Sequence, residues 1–193
     1  MNRLTHKIVL VSLMCACSAA SNGEERIRGD GEIIRLPPAA FSDLPEPVRV
    51  LLTEESCLIP QPWRPGAPPE YTNVVRGEFA VRGQYDWAVV CSRAGKSSIR
   101  LFWGGPSRCS DSLAASASSF LQKVTPNEIG YSRMISRVSP DVLTQHYGRQ
   151  HNQSTSATLQ KFDHDAISDA FLEKASTLYY CSDASWHTLR GSD

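Results

Sequence analysis

The sequence has no excess of charge of either sign, because its 20 lysine and arginine residues are matched by 20 aspartate and glutamate residues. Proteins that bind nucleic acid through its phosphates are normally basic, so no nucleic-acid partner is expected. The composition is also unlike that of a disordered chain, since 41% of the 193 residues are hydrophobic and 21% are charged. These values predict a globular protein with a sizeable core.

No apolar run reaches the roughly 20 residues that a membrane-spanning helix needs. The uncharged run at residues 8–20 follows Arg3 and Lys7 and ends in small residues, which is typical of a secretory signal peptide. We therefore predict a signal peptide at residues 1–20 and a mature chain without a transmembrane span, exported to the periplasm or the extracellular space. A lipid anchor on Cys17 is the alternative, in which case the protein is tethered to a membrane.

Cys-x-x-Cys pairs are missing, which argues against a structural zinc site and against thioredoxin-like redox chemistry. Four cysteines follow the predicted signal peptide, namely Cys57, Cys91, Cys109 and Cys181. An even number of cysteines in an exported chain predicts two disulfide bonds, with three connectivities open.

Motifs of the common hydrolases are also missing, since the chain contains neither His-Glu-x-x-His nor Gly-x-Ser-x-Gly. Gly95-Lys96-Ser97 resembles part of a phosphate-binding Walker A loop, but Val90 stands where the first glycine of that motif belongs. The segment also leads from one predicted strand into another, whereas a Walker A loop leads into a helix. We therefore expect Lys96 to be a solvated turn residue, and we predict no catalytic or cofactor-binding residue.

The densest group of oxygen ligands is the segment Asp-His-Asp-Ala-Ile-Ser-Asp, which contains Asp163, Asp165 and Asp169. An EF-hand loop needs an oxygen ligand where this chain has Ile167, followed by a glycine that the segment lacks. We expect Asp165 or Ser168 to cap a short helix while the other acids face solvent. A metal site at the three aspartates, with calcium as the ion, is the alternative.

Apolar residues at helical spacing predict a helix at residues 44–55 and a second helix that runs from Asp111 to about residue 124. Ser139, Pro140 and Gly148 have the positions expected of an N-cap, a first-turn proline and a stop signal. A further short helix is predicted at residues 167–174.

Period-two alternation predicts three antiparallel strands between residues 74 and 103, the middle one apolar on both faces and therefore central. Further strands are predicted near residues 129–135, 177–181 and 186–191. We expect a flexible tail at residues 21–36 and a single α+β domain at residues 37–193. That domain is expected to be an antiparallel sheet of about five or six strands with two or three packed helices and disulfide bonds.

The stretch Gly-Glu-Phe-Ala-Val-Arg-Gly-Gln-Tyr-Asp-Trp-Ala-Val-Val at residues 77–90 resembles the FG-GAP hairpin of integrin-like propellers. Gly77, Phe79, Asp86 and Ala88 match its pattern. The resemblance implies a hairpin. The loop lacks the Asp and Asn residues of the calcium-binding version, and the chain shows no repeats from which a propeller could be built.

Across nearly the whole mature chain, the motifs CLIPQ, DWAVVCS and EKAS resemble a group of small exported proteins of environmental bacteria that have no characterised activity. That resemblance implies a single domain, a bacterial source and a Cys57–Cys91 disulfide, which leaves Cys109 and Cys181 as the second pair. It implies no activity.

Taken together, these features favour a non-catalytic binding or structural module of the cell envelope or the extracellular space. Its partner is expected to be a protein or another envelope component. One alternative is an exported hydrolase or metal-dependent enzyme that uses Asp163, Asp165 or His164. Another is a protein-binding inhibitor or immunity-like protein.

Overall fold

The computed structural model describes residues 33–63, 71–116, 120–152 and 159–191. Within these ranges the chain forms helices α1 Glu46–Glu54 and α2 Pro140–Gln150 and a short 3-10 helix, Pro38–Ala40. The strands are β1 Arg35–Leu36, β2 Ile59–Pro60, β3 Val74–Gly77, β4 Asp86–Arg93, β5 Lys96–Phe102, β6 Ser112–Ser116, β7 Leu121–Thr125, β8 Glu128–Tyr131, β9 Arg133–Val138, β10 Ala166–Phe171, β11 Ala175–Ser182 and β12 Ser185–Arg190. The predicted signal peptide lies outside the described residues, as does the predicted tail up to residue 32.

Most of these strands belong to two antiparallel sheets of four strands each. The first sheet has the order β3-β4-β5-β6 and the second sheet has the order β12-β11-β10-β9. Two small ribbons, β1-β2 and β7-β8, complete the strand pairing of the described residues. Neighbouring strands of the two large sheets are consecutive in the chain. Turns of two or three residues connect β4 to β5, β10 to β11 and β11 to β12, whereas the segment from β9 to β10 contains α2.

The two sheets pack face to face, and each has a helix on its outer face. Along β4, Ala88 and Val90 point inward to a core shared with the second sheet, whereas Val89 points outward to a core beneath α1. On the other side of the molecule, Leu143 of α2 packs against the outer face of the second sheet. The layers are therefore α1, first sheet, second sheet and α2, and every sheet face has an apolar cover.

Helix α1 confirms the helix predicted at residues 44–55. Pro45 and Pro47 lie at its start, where the missing N–H of proline breaks no helical hydrogen bond. Leu52 faces the core and is fully buried. Helix α2 likewise confirms the helix predicted after Ser139, but it continues through Gly148, the expected stop, to Gln150.

A buried asparagine joins the edges of the two large sheets. The Asn73 side chain accepts a hydrogen bond from the Ile135 N–H (2.9 Å) and donates to the carbonyl oxygens of Arg133 (3.1 Å) and Pro60 (2.6 Å). Asn73 has a left-handed φ of 67°, which asparagine tolerates better than most residues. This side chain therefore fixes the edge of the first sheet against β9 of the second.

Two disulfide bonds are present, as predicted. Cys57–Cys91 ties the end of α1 to β4, and Cys109–Cys181 ties the loop after β5 to β11 of the other sheet. The Cα–Cα distances are 5.4 and 6.0 Å, within the usual range for disulfides. The pairing is the one implied by the resemblance to the exported bacterial proteins. Structural disulfides are typical of proteins outside the reducing cytoplasm.

The helix predicted from Asp111 to residue 124 is wrong. Strands β6 and β7 occupy this stretch, with residues 117–119 outside the description. The apolar residues that appeared to follow one 3.6-residue period belong to two separate strands. Ala114 and Phe120 have left-handed φ values of 51° and 49°, which interrupt any helix. Strand β6 is stabilised by its pairing with the edge of β5, and the intrinsic conformational preference of its residues does not decide its structure.

The short helix predicted at residues 167–174 is also wrong, because the chain forms β10 there. Strand β10 is paired on both sides, with β9 and with β11, and its Ile167 is fully buried. The predicted single sheet of five or six strands is corrected to two sheets of four. Because β10 was predicted as a helix, the prediction lacked the strand that lies between β9 and β11. The second sheet was therefore not predicted.

In the described ranges, neither helix has the length and apolar character needed to cross a membrane.

Candidate functional site

The three aspartates of the acidic segment have separate partners. Asp163 is exposed, and its Oδ1 lies 2.8 Å from Nδ1 of His164. That hydrogen bond lowers the pKa of Asp163. Asp165 is buried instead, and its Oδ2 accepts a hydrogen bond from the N–H of Glu78 at 2.9 Å. Asp165 thus links the start of β10 to the end of β3, while Asp163 stays at the surface.

Asp169 forms an ion pair with Arg133, which is fully buried between the sheets. Arg133 Nε and Nη2 donate to the two carboxylate oxygens at 2.8 and 2.9 Å, a bidentate geometry. Its Nη1 donates to the Ser97 hydroxyl at 2.8 Å, and Nη2 also donates to the Ala114 carbonyl at 3.0 Å. Since Ser97 and Ala114 lie on β5 and β6, this one guanidinium bridges the two sheets.

His164, within the acidic segment, contacts Asp163, and its Nε2 is 2.8 Å from the Cys181 carbonyl. His151, the residue that follows α2, stacks on Tyr147 of that helix. Burial and the charge of Arg149 lower the pKa of His146, which is also on α2. Over the described ranges, no three His, Cys, Asp or Glu side chains are grouped so that they could hold a metal ion. The structure does not bring the proposed calcium ligands together.

Tyr131 lies beside Arg133 and is 4% exposed. Its hydroxyl has no hydrogen-bond partner among the described residues. Burial raises the pKa of Tyr131 to about 12, although the Arg133 guanidinium opposes the shift. Since an unfolded tyrosine titrates near 10, the stability that the neutral hydroxyl preserves is complete below pH 10 and is lost as the pH rises through 12.

Replacing Tyr131 by phenylalanine removes both the unpaired hydroxyl and its titration. We expect the free energy of unfolding at pH 7 to change by less than about 1 kcal/mol, because no hydrogen bond is lost. Between pH 10 and 12 the variant should lose less stability than the wild type, measured by urea denaturation. Tyr85→Phe, at an exposed tyrosine, is the matched control. Equal alkaline losses in the wild type and Tyr131→Phe would contradict this prediction.

The hairpin between β3 and β4 is organised by Asp86, which is fully buried. One carboxylate oxygen accepts hydrogen bonds from the N–H groups of Phe79 and Ala80, both at 3.1 Å. The other accepts from Gln84 Nε2 at 2.8 Å and from the N–H of Gly104 at 2.9 Å. The chain's own donors therefore satisfy both oxygens, and they hold the loop in one shape.

Gly104 belongs to the loop after β5, so Asp86 fastens two loops together. Gln84 adds to this connection, because its Nε2 donates to the Ser107 carbonyl (2.7 Å) and its Oε1 accepts from the Ser107 N–H (3.2 Å). A side chain at Gly104 would collide with the Tyr85 carbonyl. We call residues 78–85 and 104–108 together the loop platform.

The outer surface of the loop platform carries an exposed tyrosine and several arginines. Tyr85 is 53% exposed, and the guanidinium of Arg76 lies 4.1 Å from the centre of its ring, a cation–π contact. Val81, Arg82 and Arg108 of the same two loops are also exposed. The joined loops thus present an aromatic ring in contact with one arginine and carry two further exposed arginines.

The sequence reasoning missed Arg133 and Asp86 as organising residues. Alternation places Arg133 on the same face as Tyr131 and Ile135, and an arginine on an apolar face is a signal of a buried ion pair. Asp86 falls in the FG-GAP-like pattern, but its partners are backbone amides that a residue pattern does not reveal.

Comparison of the chain with protein-family models, with curated proteins and with solved structures found no match. The function of this chain is therefore inferred from its own residues and their contacts.

Proposed function

We propose that the protein is an exported, non-catalytic binding module that contacts an acidic surface of a partner protein through the loop platform. The observation that carries the proposal is the combination of a loop backbone fixed from within by Asp86 and an outer surface bearing Tyr85 and arginines. A surface that is ordered before binding loses little conformational entropy when it docks.

The state of the buried carboxylates supports a non-catalytic role. A general base or a metal ligand must direct a free lone pair at its substrate or ion. Asp86 accepts four hydrogen bonds, Asp169 is held by Arg133, and Asp165 accepts the Glu78 N–H. These carboxylates hold the fold together, which accounts for their burial without any reaction.

The chemistry of the loop platform supports a protein partner. Tyrosine and arginine are the residue types that most often dominate binding energy at protein interfaces. Arg76, Arg82 and Arg108 add positive charge to the surface. The hydrogen bond with His164 is the main cause of the lowered pKa of Asp163, and the charge of Arg82 adds to it, so Asp163 is the acidic neighbour of Arg82. A complementary partner surface therefore carries acidic residues.

Export is supported by the two disulfides, because structural disulfides persist in oxidising compartments. The predicted signal peptide at residues 1–20 fits the same location. An envelope protein and an enzyme inhibited by this module are both partners of the proposed kind.

The proposal is tested by capture from the envelope and secreted fractions of the source cells. Wild type, Tyr85→Ala and Arg82→Glu are compared with Tyr71→Ala and Arg190→Glu, which change an exposed tyrosine and an exposed arginine outside the loop platform. We expect one acidic protein to be captured by the wild type and both controls. Affinity for that protein should fall by about 10–100-fold in each loop-platform variant, and capture should weaken at high salt.

Circular dichroism and thermal melting show whether each variant is folded. Loss of binding can then be distinguished from loss of the folded structure. A captured protein that binds wild type and Tyr85→Ala equally well would refute the role of the loop platform. Turnover of a substrate by the purified protein would refute the non-catalytic assignment.

A further inference from the structure

The first sheet has a polar cleft on its outer face, beyond the end of α1. The cleft has a volume of about 700 Å³, and its lining includes Glu55, Arg93, Lys96, Ser98, Arg100 and Ser112. It is separate from the loop platform, and the proposed protein-binding role does not use it.

Strand register explains why these side chains share one surface. Arg93 of β4 is paired with Lys96 of β5, and Arg100 of β5 is paired with Ser112 of β6. Cross-strand partners point to the same face of a sheet. Helix α1 covers the neighbouring part of that face around Val89 and ends at Glu54, so the polar positions beyond it stay open.

Two of the three cations in the cleft form no ion pair with another described residue. Arg100 forms a two-point ion pair with Glu55, the residue that follows α1. Arg93 and Lys96 are directly opposite each other across the strands, and in the described part of the chain neither has an ion-pair partner. Directly opposed like charges destabilise an antiparallel pair. A bound anion between them would relieve the repulsion.

Neighbouring groups supply neutral hydrogen-bond donors. The hydroxyls of Ser98 and Ser112 make no hydrogen bond to other described residues, and both face the cleft. Asp111 is also at the rim, but its Oδ1 accepts a hydrogen bond from the Trp103 indole at 2.7 Å. Two cations and two hydroxyls around one space match the charge and the several acceptor oxygens of a tetrahedral oxyanion.

We propose that this cleft binds a terminal phosphate group, as a free phosphate or as a phosphate monoester. Among the described residues, the lining includes no aromatic side chain on which a base or a sugar ring could stack, so the recognised element is the phosphate itself. The mode differs from that of a Walker A loop. Side chains on three strands make the contacts, and the backbone of the Gly95 turn does not.

The test is calorimetric titration with inorganic phosphate and, in a second arm, glucose 6-phosphate, at constant ionic strength maintained with chloride. The wild type should bind both probes. Equal affinities assign free phosphate as the ligand, and tighter binding of the ester assigns a phosphorylated compound. Affinity should weaken as the pH falls from 8 to 5, because protonation removes charge from the phosphate.

The double variant Arg93→Gln/Lys96→Gln should lose affinity by about tenfold or more, since each lost charge-assisted hydrogen bond weakens binding. Its melting temperature without phosphate should equal or exceed that of the wild type, because the like-charge contact is gone. Arg190→Gln, which removes one exposed charge elsewhere, should bind as the wild type does.

Absence of phosphate binding by the wild type overturns the proposal. Unchanged affinity in the double variant also overturns it, because the anion then binds at another site. Tyr85→Ala should keep full phosphate affinity, so a failure of the cleft and a failure of the loop platform are told apart.

Discussion

Replacing Asp86 by alanine should lower the free energy of unfolding by about 3–5 kcal/mol, because each buried donor left unpaired costs about 1–3 kcal/mol. The change removes the acceptor of three backbone N–H groups, those of Phe79, Ala80 and Gly104, and of the Gln84 amide. Water cannot easily replace it, since the side chain is fully buried. The two halves of the loop platform should separate before the rest of the molecule unfolds.

Urea denaturation measures the global effect, and amide hydrogen exchange at Gly104 measures the release of the loop. Asp86→Asn should lose less stability than Asp86→Ala, because it keeps one carbonyl oxygen in place. Asp163→Ala, at an exposed aspartate, is the matched control and should change stability by less than about 1 kcal/mol. A loss for Asp86→Ala no larger than that of the control would show that the loop platform is held by other contacts.

Replacing Arg133 by methionine should destabilise the protein by about 3–5 kcal/mol, because the Asp169 carboxylate is left without its buried counter-charge. The Ser97 hydroxyl and the Ala114 carbonyl would also lose their donor. Adding Asp169→Leu to that variant should recover most of the loss, since an apolar pair of similar volume often replaces a buried ion pair at little cost. Asp169→Leu is therefore expected to raise the free energy of unfolding of the Arg133→Met variant.

A double-mutant cycle on unfolding free energies checks this prediction, with an expected coupling of about 2 kcal/mol or more. Arg137→Met is the matched control on the same strand. Arg137 is 57% exposed and lies 3.5 Å from Asp165, so its loss should cost less than about 1 kcal/mol. If Arg133→Met and the double variant were equally unstable, Arg133 would act mainly through its contacts with the first sheet.

Where local pattern and tertiary environment agree, the sequence predicts the fold well. Strand β4 has apolar residues on both faces, and the structure covers both faces. Helices α1 and α2 each have a proline in the first turn and one buried leucine, Leu52 in α1 and Leu143 in α2. In each case the local signal and the burial act in the same direction.

The prediction failed where the partner of a segment decides its structure. The Ser- and Ala-rich strand β6 has weak preferences of its own and follows the open edge of β5. Strand β10 mixes polar and apolar residues, since its Asp169 forms an ion pair with the buried Arg133. Its sequence therefore lacks the regular alternation of apolar and polar residues that predicts a strand. The candidate site was also hard to predict, since the donors to the Asp86 carboxylate include a backbone N–H that is 18 residues away in the chain.

If the chain is exported from its N-terminus, as proposed, the positions of the two disulfides favour one order of their formation. Cys57 and Cys91 are 34 residues apart, so they can pair while the second sheet is still on the other side. Cys109 cannot form its disulfide until Cys181 is also available, and Cys181 lies 72 residues later, on the next-to-last strand. Early closure of the first bond removes both incorrect partners for Cys109. The half of the molecule with α1 and the first sheet can therefore reach its oxidised form first, and it then presents a single thiol to the arriving C-terminal half.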